Sequence, residues 1–321
     1  MKVLVFYSGG KDSQASLIWA VNKYGANRCE AVFCDTGWEN PVTYEHISST
    51  TEQLGVKLVT LKNTKYNGMV DLAKKKGRFP STKARFCTEE LKSKPAIDYV
   101  LSHTEHLIII EGIRKNESLS RSKMSAECTY FKYYFEPIIT NSMIVESLSK
   151  KPILSKSEKA KLNKAKKRLE KGKEDPKYHT YRKKDVIAWC KSWNADKVRP
   201  VFDWTADNVI DYIKGAGQQP NPLYYMGFSR VGCFPCVMIR HNEIRLLVEN
   251  HPEMLQRIKD AETQVGRSFF PPEYIPSKFC DNKRFPMIAD VERYMNDKNA
   301  TLDMFDEGGQ PGCMSVYNLC E

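Results

Sequence analysis

A glycine turn carries the first recognisable chemistry in the chain: Ser8-Gly9-Gly10-Lys11-Asp12-Ser13, set between the apolar run Val3 to Tyr7 and a segment where Ala15, Leu17, Ile18 and Val21 recur at helical spacing. Paired glycines let a backbone approach a phosphate closely. A helix start offers unpaired N–H groups and the positive end of a dipole, and Lys11 adds a cation. An anion, pyrophosphate foremost, is expected there. The spacing is not that of a Walker loop, and Asp12 suits either a divalent cation or a tight turn. An ordinary glycine turn before a helix is the plain alternative. A second group is Cys233-Phe-Pro-Cys236, whose spacing lets two thiolates reach one metal. A redox pair or buried thiols would look the same in sequence.

Two further sets follow apolar runs. Asp35, in Asp35-Thr36-Gly37, is placed to hold Mg²⁺ or a nucleotide, or simply to make a turn. Arg114 and Arg121 lie on a loop where guanidinium groups would suit phosphate oxygens, or would be solvated charges. Cys29, Cys34 and Cys190 sit in apolar patterns and are expected in the core, and Lys92 is equally a surface residue or a ligand.

The elements that must position these residues alternate. Val3 to Tyr7, Cys29 to Cys34, Val56 to Leu61 and His106 to Ile110 are expected strands. The glycine-turn helix, Pro41 to Leu54, and Glu89 to Leu101 started by Thr88 are expected helices. That order implies an α/β fold, a doubly wound parallel sheet whose ligands sit beyond the carboxyl ends of the strands. Residues 1–149 are read as the nucleotide-binding core and 150–184 as a basic helical insertion, with Ser155 and Glu158 spaced as a capping box. Residues 185–240 complete the core, with β-rich Val198 to Phe202, a helix after Thr205 and the Cys-x-x-Cys. Residues 241–321 form a Cys-containing helical and irregular region that includes a helical stretch from Asn242 to Gln264.

Composition sets limits on function. With 41% hydrophobic residues and 14 Phe, 16 Tyr and 5 Trp, the 321 residues exclude a wholly disordered chain. The net charge of +11 is local: residues 150–184 hold 15 Lys and Arg against 4 Asp and Glu, leaving 35 of each sign elsewhere. This arm is the expected contact for DNA or RNA, with Tyr178, His179 and Tyr181 available for stacking; a solvated charged face is the alternative. No apolar run approaches the roughly 20 residues of a membrane span, so a cytoplasmic protein without a membrane partner is expected, whose ten cysteines are thiols or ligands rather than disulfides.

Five segments in order carry a family resemblance. Ser8 to Ser13 resembles the PP-loop of the ATP pyrophosphatases of the adenine nucleotide alpha-hydrolase-like superfamily. Asp35-Thr36-Gly37-Trp38-Glu39, Arg85-Phe-Cys87-Thr88 with Lys92 and Pro95, Glu111-Gly112-Ile-Arg114 through Glu117, Ser118 and Arg121, and Arg230-Val-Gly232-Cys233-Phe-Pro-Cys236 resemble its phosphoadenylylsulfate (PAPS) reductase branch. The motif combination is nearest to the iron–sulfur DNA phosphorothioation enzymes.

The resemblance implies ATP and Mg²⁺ as cofactors, bound by Ser8, Gly9, Gly10, Lys11, Asp12, Ser13, Asp35, Thr36, Gly112, Arg114 and Arg121, with Lys11, Asp12 and Arg114 catalytic. It further implies a [4Fe-4S] cluster, or zinc, on Cys87, Cys233, Cys236 and a fourth cysteine, Cys280 before Cys128. The implied reaction cleaves ATP to AMP and pyrophosphate through an adenylated intermediate and transfers sulfur to a nucleic acid, with a sulfur donor protein as a possible partner. A PAPS or APS reductase, a sulfate adenylyltransferase-like enzyme, and a module that only binds nucleotide or nucleic acid are the alternatives. Against the reductase, the loop is the intact form, and the tail from Gly312 to Glu321 lacks the Glu-Cys-Gly-x-His motif.

Overall fold

A computed structural model describes residues 1–81, 84–117, 121–122, 124–129, 140–173, 181–281 and 285–297. Five parallel strands form its centre: β1 (Lys2–Phe6), β2 (Cys29–Cys34), β3 (Lys57–Leu61), β4 (Leu107–Glu111) and β6 (Ala195–Val198). The short β5 (Glu127–Thr129) pairs antiparallel with β6, giving the order β3-β2-β1-β4-β6-β5. Parallel pairing needs crossovers, and helices supply them: α1 (Lys11–Tyr24) between β1 and β2, and α2 (Pro41–Gln53) between β2 and β3. The run Phe86–Thr88, a π turn at Glu89–Ser93 and the helix Lys94–Leu101 then lead into β4.

The alternation of β1 explains why both sheet faces are covered. Val3 and Val5 pack with Leu17, Ala20 and Ile47 on one face. Leu4 packs with Val100, Val186 and Trp189 on the other. The doubly wound α/β fold expected from the sequence is therefore present.

Sequence and structure part company in several elements. Val198 to Phe202 is not a strand: β6 ends at Val198 and a turn follows. The stretch from Asn242 to Gln264 is two helices, His241–Asn250 and Pro252–Val265, because proline at 252 donates no N–H to continue the first. Helices at Met69–Lys76 (α3), Asn141–Ser149, Lys183–Trp189 and Ile288–Asn296 are additional to those expected. The Ser155 capping box forms as expected, and its helix Lys156–Leu169 packs Leu162 and Ala165 on Ile144 and Leu148 of Asn141–Ser149. Residues 174–180, with Tyr178 and His179, lie outside the described residues, as does the tail after residue 297. Among the described residues no helix is long and apolar enough to cross a membrane.

Candidate functional site

The glycine turn sits where β1 hands over to α1, and its shape is set by small contacts. Gly9 adopts φ 78°, a left-handed conformation, and a Cβ there would stand 2.8 Å from Thr43 Cγ2. Gly10 is the N-cap, and no side chain caps the helix, so the N-terminal turn of α1 faces the loop. Ser13 Oγ accepts from Ser8 N at 3.2 Å and donates to Gly10 O at 2.9 Å, closing the turn on itself. Gly112 follows β4 and lies so close that a Cβ would come within 2.5 Å of the Asp12 carbonyl carbon. The loops after β1 and β4 are thereby locked together.

Charge is concentrated behind this turn. Lys11 is buried, with Nζ 3.7 Å from Asp12 Oδ2 and 5.2 Å from the centre of the Tyr224 ring. Arg114, also buried, donates from Nε to Asp12 Oδ1 at 2.6 Å. Asp12 thus neutralises two cations and holds both beside the loop, which a free carboxylate at an anion site would not do. Glu117 Oε2 accepts from Arg114 N at 3.0 Å and pairs with Arg121, so Arg121 acts on the site through Glu117.

Asp35 and Thr36 belong to the adjoining loop after β2. Asp35 accepts from Tyr44 OH at 2.6 Å and Gly37 N at 2.8 Å, and Lys62 Nζ lies 3.0 Å away. Burial pushes its carboxyl up, but these bonds outweigh burial and hold it below the ordinary range. Both candidate Mg²⁺ carboxylates are therefore already paired, Asp12 with Arg114 and Asp35 with Lys62.

Three residues with no motif of their own also support the turn. Asn221 donates to Gly9 O at 3.1 Å and Thr43 Oγ1 at 3.2 Å, and Thr43 donates to Val231 O at 2.8 Å. Tyr224 OH accepts from Lys11 N at 3.1 Å. The only sequence signal was the Pro220-Asn-Pro222 turn, which says nothing about a partner some 200 residues away.

The cysteine segment joins the same loop from the other side. Glu39 and Cys233 form an antiparallel bridge, and Phe234 N donates to Trp38 O at 2.8 Å. Glu39 is buried and accepts from Thr36 Oγ1 at 2.7 Å, Tyr44 OH at 3.1 Å, and Thr36 N and Trp38 N, both at 3.2 Å. Cys233 Sγ lies 3.4 Å from Thr36 Oγ1 and 3.6 Å from Glu39 Oε1. Burial pushes the Cys233 thiol up to about 11, against the pull of Lys92. The Cys233 sulfur in turn raises Lys92 above the usual lysine range, and Glu39 and Cys34 add to this against burial. Lys92 is thus a member of the cysteine group rather than a surface residue. Cys34 joins it as well: its Sγ approaches Lys92 O at 3.7 Å, and burial lifts its thiol to about 11. Its place in an apolar strand concealed this.

Of the four candidate metal ligands, Cys236 is close enough to act on both Cys87 and Cys233. Burial and then the neighbouring Cys236 sulfur raise Cys87. Cys280 Sγ lies 3.8 Å from Pro276 O, with Asp290, Arg293 and Asp281 around it. Cys128 is on the antiparallel edge strand β5. Among the described residues no three His, Cys, Asp or Glu side chains form a metal-ligand group.

The glycine turn, the paired Lys11 and Arg114, and the loops after β2 and β4 all fall within one sequence profile, the phosphoadenosine phosphosulfate reductase domain, matched over residues 2–238. The chain belongs to that family. Its sheet of parallel strands flanked by helices is the α/β fold described above. The chain is 26% identical to a 37.8 kDa protein of Escherichia phage 186, with 99% of this chain and 96% of that one aligned. A protein of Methanocaldococcus jannaschii is 24% identical over 79% of this chain, which spans 40% of that longer protein. The adenosine 5'-phosphosulfate reductase of Mycolicibacterium smegmatis is 35% identical over 51 residues, 16% of this chain and 22% of that one. Among solved structures, the PAPS reductase of Candida auris in complex with phosphate aligns over 73% of this chain and 82% of its own, with 13% identity and a TM-score of 0.41.

Proposed function

We propose that this PAPS reductase-family chain cleaves ATP to AMP and pyrophosphate, adenylates an acceptor oxygen and transfers sulfur to a nucleic acid. The observation that carries the reading is the Lys11–Asp12–Arg114 arrangement, which holds two buried cations beside an uncapped helix N-terminus. A triphosphate docked on the Ser8 to Ser13 turn would meet backbone N–H groups first and these cations second. The acceptor oxygen then attacks the α-phosphorus, the bond to the bridging oxygen breaks, and pyrophosphate leaves with its electron pair. A sulfur nucleophile supplied by a donor protein next displaces AMP from the adenylated carbon or phosphorus. Lys11 and Arg114 act by neutralising charge that grows on the leaving group, and Asp12 keeps them in place. Because Asp12 and Asp35 are already paired, Mg²⁺ is assigned to the phosphates of incoming ATP. Nucleotide activation requires no iron–sulfur cluster. The basic segment 150–184 is assigned to the nucleic acid, on its charge alone.

A second reading, sulfonucleotide reduction, is favoured by the family match and by the stretches shared with adenosine 5'-phosphosulfate reductases. Pyrophosphate release from ATP across DNA, tRNA, sulfate and sulfonucleotides separates the two. Release dependent on nucleic acid and lost in Lys11→Ala is the expected result. Thioredoxin-dependent sulfite release from a sulfonucleotide, without ATP consumption, would overturn it.

A further inference from the structure

The body outside the 150–184 arm is neutral in sum, but the fold gathers its charge unevenly. Residues 57–78 contain seven Lys and Arg and a single acid, Asp71. They form β3, the loop after it and α3, at the sheet edge where, among the described residues, β3 has no outer neighbour. Two clefts open there. One, of about 290 Å³, is lined by Lys62, Lys65, Lys94, Asp98, Tyr99 and Tyr181, among others. The other, of about 470 Å³, is lined by Lys76, Arg78, Ala84, Arg85, Phe86 and Glu89. They share a hinge: Glu90 pairs with Lys76 at 3.6 Å on one side and with Lys94 at 2.7 Å on the other.

The cations alternate with aromatic faces. Lys75 lies 5.2 Å from the Tyr66 ring centre, Arg78 5.7 Å from Phe86, and Lys94 5.5 Å from Tyr181. The acids present, Asp71, Glu89, Glu90 and Asp98, pair with Lys75, Lys94, Lys76 and Arg182, and are outnumbered by the Lys and Arg of residues 57–98, so the groove keeps a net positive charge carried by residues such as Lys65, Arg78 and Arg85. The bonds of Asp98 to Arg182 and Tyr181 also anchor the returning end of the basic arm at the first cleft. At its other limit the cleft reaches the candidate nucleotide site, because the Lys62 ammonium that lines it rests on Asp35.

A positively charged groove with stacking faces along it suits a single strand, whose phosphates track the cations and whose bases find π-surfaces. We propose that this groove, from Arg78 and Arg85 past Lys65 and Lys94 to Tyr181, binds a single-stranded segment of nucleic acid and leads it from the arm to the Asp35 side of the site. The inference rests on the nucleic-acid reading given above and assigns the binding surface to the body as well as the arm.

The test uses the full chain and a twenty-residue oligothymidylate, with affinity measured by fluorescence anisotropy across a salt series. Lys65 and Arg78 are exposed and outside the nucleotide machinery. Lys65→Glu with Arg78→Glu is expected to weaken binding about tenfold or more at low salt. The log–log salt slope should also become shallower by about 1.4, the release expected from two single-strand phosphate contacts. Unfolding temperature and ATP binding serve as checks that the variant is folded. A second variant, Lys161→Glu with Lys164→Glu and Lys167→Glu, reverses charge on the arm. If only the arm variant loses affinity, the groove assignment is overturned and the nucleic-acid reading stands. If the wild-type chain binds neither single strand nor duplex, both fall together. Equal loss of single-strand and duplex affinity in the groove variant overturns the assignment to a single strand.

Discussion

The phosphate loop and the cysteine segment meet the same loop after β2, yet they are assembled in opposite ways. The phosphate loop is six consecutive residues closed on themselves by Ser13 Oγ, which bonds Ser8 N and Gly10 O, with Asn221 and Tyr224 bracing it from outside. The cysteine group draws Cys34 from the end of β2 and Glu39 from the loop after it, Cys87 and Lys92 from a helical run, and Cys233 and Cys236 from a segment some 200 residues beyond β2. A local motif carries its geometry with it. A dispersed one depends on packing that no short window records.

Removing charge from the phosphate loop tests the comparison most severely. Arg114→Ala is expected to lower pyrophosphate release about a hundredfold or more, as for loss of a charge-stabilising donor in other sites. Arg114→Lys keeps the charge but not the 2.6 Å Nε bond to Asp12, so it should recover part of the rate. Equal activity in wild type and Arg114→Ala would place the chemistry elsewhere. Gly112→Ala drives a methyl into the Asp12 backbone, and a destabilisation of about 1–3 kcal/mol with weakened ATP binding is expected by calorimetry.

On the cysteine side the expected effects fall on stability before activity. Glu39→Gln places an amide among four donors and should cost about 2 kcal/mol in chemical denaturation. A variant as stable as wild type would show that the buried network around Cys233 holds nothing together.

The smallest effects are in pH, and they run in opposite directions in the two halves. In the nucleotide-binding half, burial lowers His46 from 6.5 to about 4, and it faces Gln14 Oε1 at 3.2 Å. A depressed histidine contributes stability above pH 6.5 that is lost as pH falls through 4. In the C-terminal helices, burial raises Glu262 from 4.5 to about 7, although it accepts from Phe269 N at 2.7 Å and Ile288 N at 2.8 Å. A raised carboxyl contributes stability below pH 4.5 that is lost as pH rises through 7. His46→Gln should therefore flatten the acid side of the stability profile, and Glu262→Gln the neutral side. Profiles unchanged by both substitutions would remove these two groups from the account.

The same contrast explains what the sequence disclosed. β2 was readable to its ends because a short run of five apolar residues and Glu30, bounded by turns, has few alternatives. The arm's helix announced itself through Ser155 and Glu158, whose capping bonds are local. The break at Pro252 was legible in principle, and the helical periodicity on both sides masked it. Cys34 read as core because its strand neighbours are apolar, yet it stands at the strand end, where the side chain meets Lys92. Cys280 lies beside Asp290 and Arg293 of the helix Ile288–Asn296, a neighbourhood that no short window of sequence records. Asn221 and Tyr224 bind the phosphate loop from far along the chain, so nothing in the loop itself could name them.

The central claim is that the loop cleaves ATP between its α- and β-phosphates to activate an acceptor. Incubation of the full chain with α-phosphate-labelled ATP, Mg²⁺ and either nucleic acid or a sulfonucleotide measures this directly. The expected result is labelled AMP and stoichiometric pyrophosphate that appear with nucleic acid and vanish in Arg114→Ala. Intact ATP in every mixture, with sulfite released from the sulfonucleotide and thioredoxin, would contradict it.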